Sequence, residues 1–346
     1  MSKKNLRILL ILFYFLLPQG VFGASFDCSM PTLSKIERWI CEQPKVSELD
    51  EEMAKTYTEN YKKLSPVNRV GYLNSQYEWL KYWPQACMRQ ENVTLESAGV
   101  AECAQRLYEQ RIALLPVLPL KNQWLVFKLA KYNMVKADKK SVPDNIKMLD
   151  HFLVYPKIET ANLSSKNMQL ANQVNTWVTS VIQKMGPKNR ITLNEKDMDS
   201  FLEMELEQVS PDILRLRARY YFYGFGAHGN SSFNQYHFIL SQGRELREED
   251  ILKGPWQAEI AQDVYDKIQI EAPEMVLVDS PKNVEPSIKR LQNWDFNKEG
   301  FRFQFSPYEL TAYAAGVVQV SIDWTMMDAY LTDYAKTQLP LLYEKH

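Results

Sequence analysis

The chain has few of the patterns that catalytic and cofactor sites usually require. It holds four histidines, none in an HxxxH or HExxH spacing, and it has no G-x-S-x-G turn. These absences argue against a helical zinc-hydrolase motif and a serine nucleophile elbow. The 12 glycines form no phosphate-binding loop. We therefore predict that the protein is not an enzyme and holds no metal or cofactor.

Cysteine is absent from the last 243 residues and occurs only at Cys28, Cys41, Cys87 and Cys103. An even number of cysteines in an exported chain indicates disulfides rather than thiol chemistry. A catalytic cysteine would need a histidine partner, and this part of the sequence has none. Four cysteines allow three pairings. We favour Cys28–Cys41 with Cys87–Cys103, because each pair closes a local loop around the start of one helix.

Long apolar runs are also missing, apart from one near the N-terminus. Residues 1–23 have three basic residues, an apolar stretch over residues 9–17 and a compact segment before Ala24, which is the pattern of a cleaved signal peptide. An uncleaved anchor is the alternative, but about ten apolar residues fall short of the ~20 that span a bilayer. We expect a periplasmic or secreted protein with no membrane span after cleavage.

The chain has no excess of basic residues. Without residues 1–23, which contain three basic residues and no acidic ones, 38 Lys and Arg face 42 Asp and Glu, a net charge of −4. This balance lacks the basic surface that nucleic-acid binding requires, and it is compatible with a basic partner. The remaining length of about 323 residues fits two domains.

Residues 24–116 have the periodicity of four short helices. Ser34 with Glu37 forms a capping-box pattern, and we expect later helices to begin at Ser47 and Thr94 and the third helix to end at Pro84. Two disulfides would stabilise this thin all-α bundle by about 2–4 kcal/mol each. Residues 117–148 read as a connecting segment, with a short helix or strand near Trp124.

Residues 149–346 change to period-two alternation, which predicts strands. The alternating segments begin near Leu214, Tyr236, Phe301 and Val318, and helical patterns cover residues 170–182 and 256–268. Strands interspersed with helices, without repeated βαβ units, indicate an α+β domain. We expect an antiparallel sheet with helices on one face, so the whole chain is predicted to be multidomain.

Two stretches resemble known families. The N-terminal region is similar to the lysozyme-inhibitor LprI-like N-terminal domain family, although it has Gln85-Ala86 where that family has an Arg-Asp pair. This resemblance is carried by Asp27-Cys28, Ile40-Cys41, Leu49-Asp50, Tyr57, Gln76, Trp79-Leu80, Cys87, Cys103 and Tyr108-Glu109-Gln110-Arg111. The C-terminal region resembles the RsiV-like domain of a lysozyme-sensing anti-sigma factor, which also occurs beside peptidoglycan deacetylases. That second resemblance is carried by Tyr155-Pro156-Lys157-Ile158, Gly226-Ala227-His228, Gln242-Gly243-Arg244-Glu245-Leu246, Pro307-Tyr308-Glu309-Leu310 and Tyr313-Ala314-Ala315-Gly316.

Both resemblances imply a binding protein that recognises and inhibits lysozyme-type muramidases. A loop would enter the muramidase cleft and block its two carboxylates, and Tyr308–Gly316 is the candidate because exposed tyrosines suit protein recognition. The predicted partner-binding residues are Tyr308, Glu309, Tyr313, Gly316 and His228. In the structural alternative, His228 fixes a loop and the tyrosines determine the fold. The functional alternative is a peptidoglycan-binding or envelope-maintenance module, and an enzyme acting on the cell wall is a third.

Overall fold

The computed structural model describes residues 24–185, 193–297 and 300–339. The predicted signal peptide, residues 1–23, lies outside the described residues. In chain order the α-helices are α1 Lys35–Glu42, α2 Pro44–Tyr61, α3 Pro66–Cys87, α4 Val100–Leu114, α5 Ser165–Met185, α6 Glu248–Ile251, α7 Gln257–Glu271, α8 Glu285–Ile288, α9 Trp324–Met327 and α10 Asp333–Gln338. The strands are β1 Leu118–Pro119, β2 Leu125–Lys136, β3 Met148–Ile158, β4 Asp199–Gln208, β5 Ile213–Tyr223, β6 Asn230–Ile239, β7 Arg244–Glu245, β8 Trp294–Phe296, β9 Gly300–Phe305 and β10 Val318–Asp323.

The four N-terminal helices are present, but three of their expected ends are wrong. Helix α2 begins at Pro44 rather than Ser47, because proline fits the first turn, where its missing N–H would have no partner. Helix α3 continues through Pro84 to Cys87. Thr94 and Ser97 form a separate turn, and α4 begins only at Val100, after Gly99 with φ +84°.

Two disulfides fasten this helical region, and they are the pairs favoured from the sequence. Cys28 joins Cys41 and Cys87 joins Cys103, with Cα–Cα distances of 5.9 and 5.7 Å. The second bond links the end of α3 to the start of α4. It therefore fixes two helices that both line the groove described below.

Seven strands form one large sheet in the order β1-β2-β3-β4-β5-β6-β7. All neighbouring pairs are antiparallel except β3 and β4, which are parallel. The expectation of an antiparallel sheet is therefore met except at this pair, because α5 crosses over between the two strands and returns the chain in the same direction. A second sheet of three antiparallel strands has the order β10-β9-β8.

Helix α5 covers one face of the large sheet. Its buried residues recur at helical spacing and pack against alternate residues of β4 and β5, since side chains of a strand alternate between its faces. The cluster includes Ala171, Val174, Trp177, Val178 and Val181 from the helix and Leu202, Met204, Leu214 and Leu216 from the strands. The helix occupies the face opposite the charged residues of these strands.

The helical region packs along strand β2 at one side of the large sheet. Helix α3 packs on β2, and Phe127 and Leu129 of that strand belong to the same hydrophobic cluster as Trp79 and Tyr108 of the helices. Strand β2 lies inside residues 117–148, the segment expected to connect two domains. Because the helices and β2 share one hydrophobic core, the predicted division into separate N- and C-terminal domains is only loosely supported.

Candidate functional site

His228, Tyr308 and Tyr313 come together in space, and we call these three residues the aromatic patch. His228 lies between β5 and β6, whereas both tyrosines lie between β9 and β10. The ring centroids of His228 and Tyr313 are 3.8 Å apart with an interplanar angle of 14°, and the rings are stacked. The Tyr308 ring lies 5.6 Å from Tyr313. All three residues were predicted from the sequence to bind a partner, but their proximity was not.

Hydrogen bonds fix the orientation of the patch. His228 Nδ1 lies 3.0 Å from the carbonyl oxygen of Gly229, so in the neutral ring Nδ1–H donates there. Nε2 is then free to accept from the Tyr308 hydroxyl at 3.3 Å. Both His228 and Tyr308 are exposed, and Tyr308 keeps 53% of its surface accessible. The patch therefore presents an ordered aromatic surface to solvent.

The side chain of Glu309 is mostly buried, and its hydrogen bonds hold the Tyr308–Gly316 loop against the rest of the domain. Its carboxylate accepts hydrogen bonds from Asn293 Nδ2 at 2.6 Å and Arg290 Nη1 at 3.1 Å. Asn293 is fully buried. Glu309 thus ties the loop to the preceding chain, and its side chain is only 11% exposed.

The backbone of the loop is held in conformations that constrain its sequence. Tyr308 has φ +69°, a left-handed conformation that is uncommon for residues with a side chain. Thr311, which is buried, accepts a hydrogen bond from the Tyr308 N–H at 3.0 Å. Gly316 has φ +68° and ψ −143°, a combination open essentially to glycine alone. The backbone at this position therefore requires glycine.

A groove crosses the open face of the large sheet, between α4 and the small sheet, and we call it the sheet groove. Three cavities of about 390, 400 and 690 Å³ follow one another along it and share lining residues. Glu203 and Arg219 line both of the first two cavities, and Lys128 and Glu205 line both of the last two. The groove is therefore continuous rather than three separate pits.

The floor of the sheet groove has a ladder of opposite charges. The register of β4 and β5 places three glutamates opposite three arginines, as Glu203↔Arg219, Glu205↔Arg217 and Glu207↔Arg215. Arg215 pairs with Glu207, and Arg217 pairs with both Glu205 and Glu207. Within the described ranges, neither Glu203 nor Arg219 forms an ion pair. One rung of the ladder thus leaves both charges available.

An aromatic row borders the end of the groove that holds this rung. Tyr132, Phe152, Phe201 and Tyr221 come from β2, β3, β4 and β5, and their register places them side by side. Centroid distances along the row are 6.1, 4.5 and 5.7 Å. All four rings are partly exposed. The row ends near the aromatic patch. Gly229, which follows His228, lies so close to Tyr221 that an added side chain would collide with the tyrosine hydroxyl.

Two aspartates lie at the same end of the groove. Asp199 accepts a hydrogen bond from Arg89 at 2.7 Å and a second from the backbone N–H of Asp150 at 2.9 Å. Asp150 Oδ2 accepts from the Tyr82 hydroxyl at 2.9 Å, while its Oδ1 is buried with no hydrogen-bond partner among the described residues. Burial raises the pKa of Asp150 to about 7. Its carboxyl group can therefore donate or accept near neutral pH.

The sheet groove was not predicted from the sequence, although part of its signal is present there. The alternation that begins near Leu214 predicts a strand, and this strand has Arg215, Arg217 and Arg219 on one side. The matching alternation of Glu203, Glu205 and Glu207 shows the same period. Only the pairing of the two strands places these acids and bases opposite each other.

The other described histidines are buried and have structural contacts. His151 Nδ1 lies 2.8 Å from Ser200 Oγ, and its Nε2 lies 3.0 Å from the carbonyl oxygen of Glu195. His237 packs against Phe296 with a centroid distance of 4.9 Å. In the part of the chain that the structure describes, no group of three or more His, Cys, Asp or Glu side chains could hold a metal ion. Over the same residues, no helix is long and apolar enough to cross a bilayer.

Comparison with known proteins places one named domain in the C-terminal region. A family model described as "Protein of unknown function (DUF3298)" matches residues 249–325. This range includes Tyr308, Glu309, Tyr313 and Gly316, and the small-sheet border of the groove, but not His228 or the strands β4 and β5 that form the floor of the groove. No curated protein matches the chain. The resemblances to the LprI-like and RsiV-like families stay predictions.

Two solved structures are similar to this chain. A crystal structure of a DUF3298 family member from Bacteroides fragilis has a TM-score of 0.45 and 16% identity, and the match covers 63% of this chain and 96% of that one. A DUF3298 family protein from Pseudomonas aeruginosa has a TM-score of 0.44 and 13% identity, covering 67% of this chain and 98% of that one.

Proposed function

We propose that this protein is an exported binding protein that recognises and inhibits lysozyme-type muramidases through the aromatic patch. The observation that supports this most directly is the stacking of exposed His228 on Tyr313, with Tyr308 beside them. Ordered aromatic side chains provide contact area with little loss of conformational entropy on binding, which makes them frequent hot spots.

The rigid base of the loop favours inhibition by insertion. Glu309 and Thr311 fix the loop beneath Tyr308, so little ordering is required when a partner binds. In the proposed complex, the Tyr308–Gly316 loop enters the substrate cleft of the muramidase and prevents the glycan from reaching the two catalytic carboxylates. The protein itself then needs no catalytic group.

Charge and covalent structure agree with this role. The net charge of −4 without residues 1–23 would attract a basic muramidase over long range, mainly by increasing the association rate. Two disulfides and the absence of a membrane-spanning helix among the described residues are compatible with a periplasmic or extracellular location. We place the protein there in this proposal.

The experiment is calorimetric titration of the oxidised protein with a basic c-type lysozyme, at low and at physiological salt. We expect a one-to-one complex that persists at physiological salt, with parallel loss of muramidase activity. Tyr308→Ala should weaken binding by about tenfold, because truncating an aromatic hot spot costs more than ~1 kcal/mol.

Tyr77 provides a matched control, since it is 55% exposed but lies on α3, in the helical region. Tyr77→Ala should leave lysozyme affinity unchanged. Equal affinities for wild type, Tyr308→Ala and Tyr313→Ala would remove the patch from the interface. Binding that appears only at low salt would be non-specific charge attraction and would contradict the proposal.

A further inference from the structure

We propose that the sheet groove is a second binding site, which takes an oligosaccharide of pyranose units bearing hydroxyl and acylamino groups. The site uses the aromatic row at one end and the unpaired charges of Glu203 and Arg219 on its floor. It shares no residue with the aromatic patch and does not depend on muramidase binding.

The shape of the groove favours a linear ligand. Its three connected cavities run along β4 and β5, bounded by α4 residues such as Leu107 and Gln110 on one side and by Gln304 and Gln319 of the small sheet on the other. A compact metabolite would fill one cavity only. A chain of several sugar rings would occupy the groove along its length.

The unpaired rung determines which polar groups the ligand must offer. Glu203 can only accept hydrogen bonds and Arg219 can only donate them, and both side chains are partly or fully exposed. A ligand with one charge sign would be attracted by one of these groups and repelled by the other. Hydroxyl and acylamino groups both donate and accept, so an uncharged sugar satisfies both residues at once.

Asp150 extends the same chemistry. Its buried Oδ1 has no hydrogen-bond partner within the described residues, and the side chain lines the cavity at the aromatic end of the groove. A buried polar atom without a partner costs free energy that a ligand donor would recover. Arg89 and Arg106 line the same cavity and supply further donors.

The aromatic row supplies the apolar half of the site. Phe152, Phe201 and Tyr221 are partly exposed although they stack on one another. Sugar rings have C–H surfaces as well as polar rims, and small-molecule sites commonly combine aromatic walls with a few placed polar groups. A larger open cavity of about 1060 Å³ lies against α5, where Lys184 and Glu245 pair with each other.

The test is titration of the full chain, free of lysozyme, with chitotetraose as the probe and cellotetraose as the analogue that lacks acylamino groups. We expect saturable one-to-one binding of chitotetraose and weaker binding of cellotetraose. Glu203→Gln and Arg219→Gln should each weaken chitotetraose binding roughly tenfold, because each loses a charge-assisted hydrogen bond.

Charge-matched controls lie outside the groove. Arg247 and Glu249 form an exposed ion pair at the start of α6 and line none of the three groove cavities. Arg247→Gln and Glu249→Gln should therefore not change saccharide affinity. Thermal unfolding of all variants identifies any that fail to fold, and Phe201→Leu tests the aromatic row independently of charge.

The two proposals fail separately. Glu203→Gln and Arg219→Gln should keep lysozyme affinity, and Tyr308→Ala should keep saccharide affinity. Absence of saturable binding to either tetrasaccharide, equal weakening by the control variants, or equal affinity for a neutral tetrapeptide would each overturn the saccharide site.

Discussion

The helical region and the small sheet contact the large sheet on either side of the sheet groove, but the two contacts differ chemically. The helical side uses apolar and aromatic packing, in which Tyr72 contacts Phe127 edge-on at 6.4 Å and Leu129 joins the helical core. The small-sheet side adds buried ions to its apolar packing, because Arg215 of β5 pairs with Asp295 of β8. The sheet groove lies between these two contacts.

This difference predicts different responses to substitution. Apolar packing distributes its free energy over many contacts, so the loss of one is partly absorbed by neighbours. A buried ion pair concentrates its cost in two groups, and removing one leaves the other charge unpaired away from water. Asp295 is fully buried and also pairs with Arg302, so it connects three strands.

The largest expected effect is therefore on the ionic side. Asp295→Asn should lower the free energy of unfolding by about 3–5 kcal/mol, because it removes the buried carboxylate that Arg215 and Arg302 share. Urea unfolding measures this loss. Arg217, whose side chain is 43% exposed, is the control, and Arg217→Gln should cost less than about 1 kcal/mol. Similar losses for the two variants would contradict the contrast between the two sides.

A smaller loss of stability is expected from removing the Cys87–Cys103 disulfide of the helical region. Replacing both Cys87 and Cys103 by serine should cost about 3 kcal/mol, since the bond closes a loop with a sequence separation of 16. Hydrogen exchange should show the loss in α3 and α4, while the amides of β9 and β10 keep their protection. Equal loss of protection in both regions would show that the two sides unfold as one unit.

The pH dependence of stability should also separate the two sides. Burial, together with the positive charge of Arg215, lowers the pKa of His237 from 6.5 to about 3. Between pH 6.5 and 3 the unfolded chain binds a proton that the folded chain does not, so this group makes stability fall as pH drops. Asp150, on the helical side, acts in the opposite direction.

Burial raises the pKa of Asp150 to about 7 from 3.8, so the folded chain keeps a proton in this window that the unfolded chain has lost. Its contribution therefore makes stability fall as pH rises from 3.8 to 7. Relative to wild type, Asp150→Asn should make the unfolding free energy rise with pH by up to about 1.4 kcal/mol per unit across that window. Urea unfolding at several pH values checks this, and an unchanged slope would remove Asp150 as a titrating group.

Much of the local structure was predictable because its causes are local. The capping box of Ser34 and Glu37 is present as expected. The alternation around Leu214, Tyr236, Phe301 and Val318 predicted β5, β6, β9 and β10, because a strand that buries one face must alternate. The helical spacing over residues 170–182 predicted α5 for the same kind of reason.

Other features depended on which elements become neighbours. Strand β2 fell in a segment interpreted as a connection, since its status is set by pairing with β3 along its length. The exposure of Tyr308 and the burial of Glu309, adjacent in sequence, follow from a left-handed residue and a contact with Asn293. The pairing of β2 with β3 and the contact of Glu309 with Asn293 both join residues far apart in the chain, so neither can be predicted from the local sequence pattern.

The sequence by itself determined the cysteine framework, the helical spacing and the strand periods, since these depend on composition and on residues close in the chain. Tertiary structure alone decided that His228 stacks on Tyr313, which lies 85 positions away. It also decided that Glu203 faces Arg219 without an ion pair while the next two rungs are paired. Both depend on strand register and loop packing, which bring distant residues within a few ångströms and cannot be read from either segment alone.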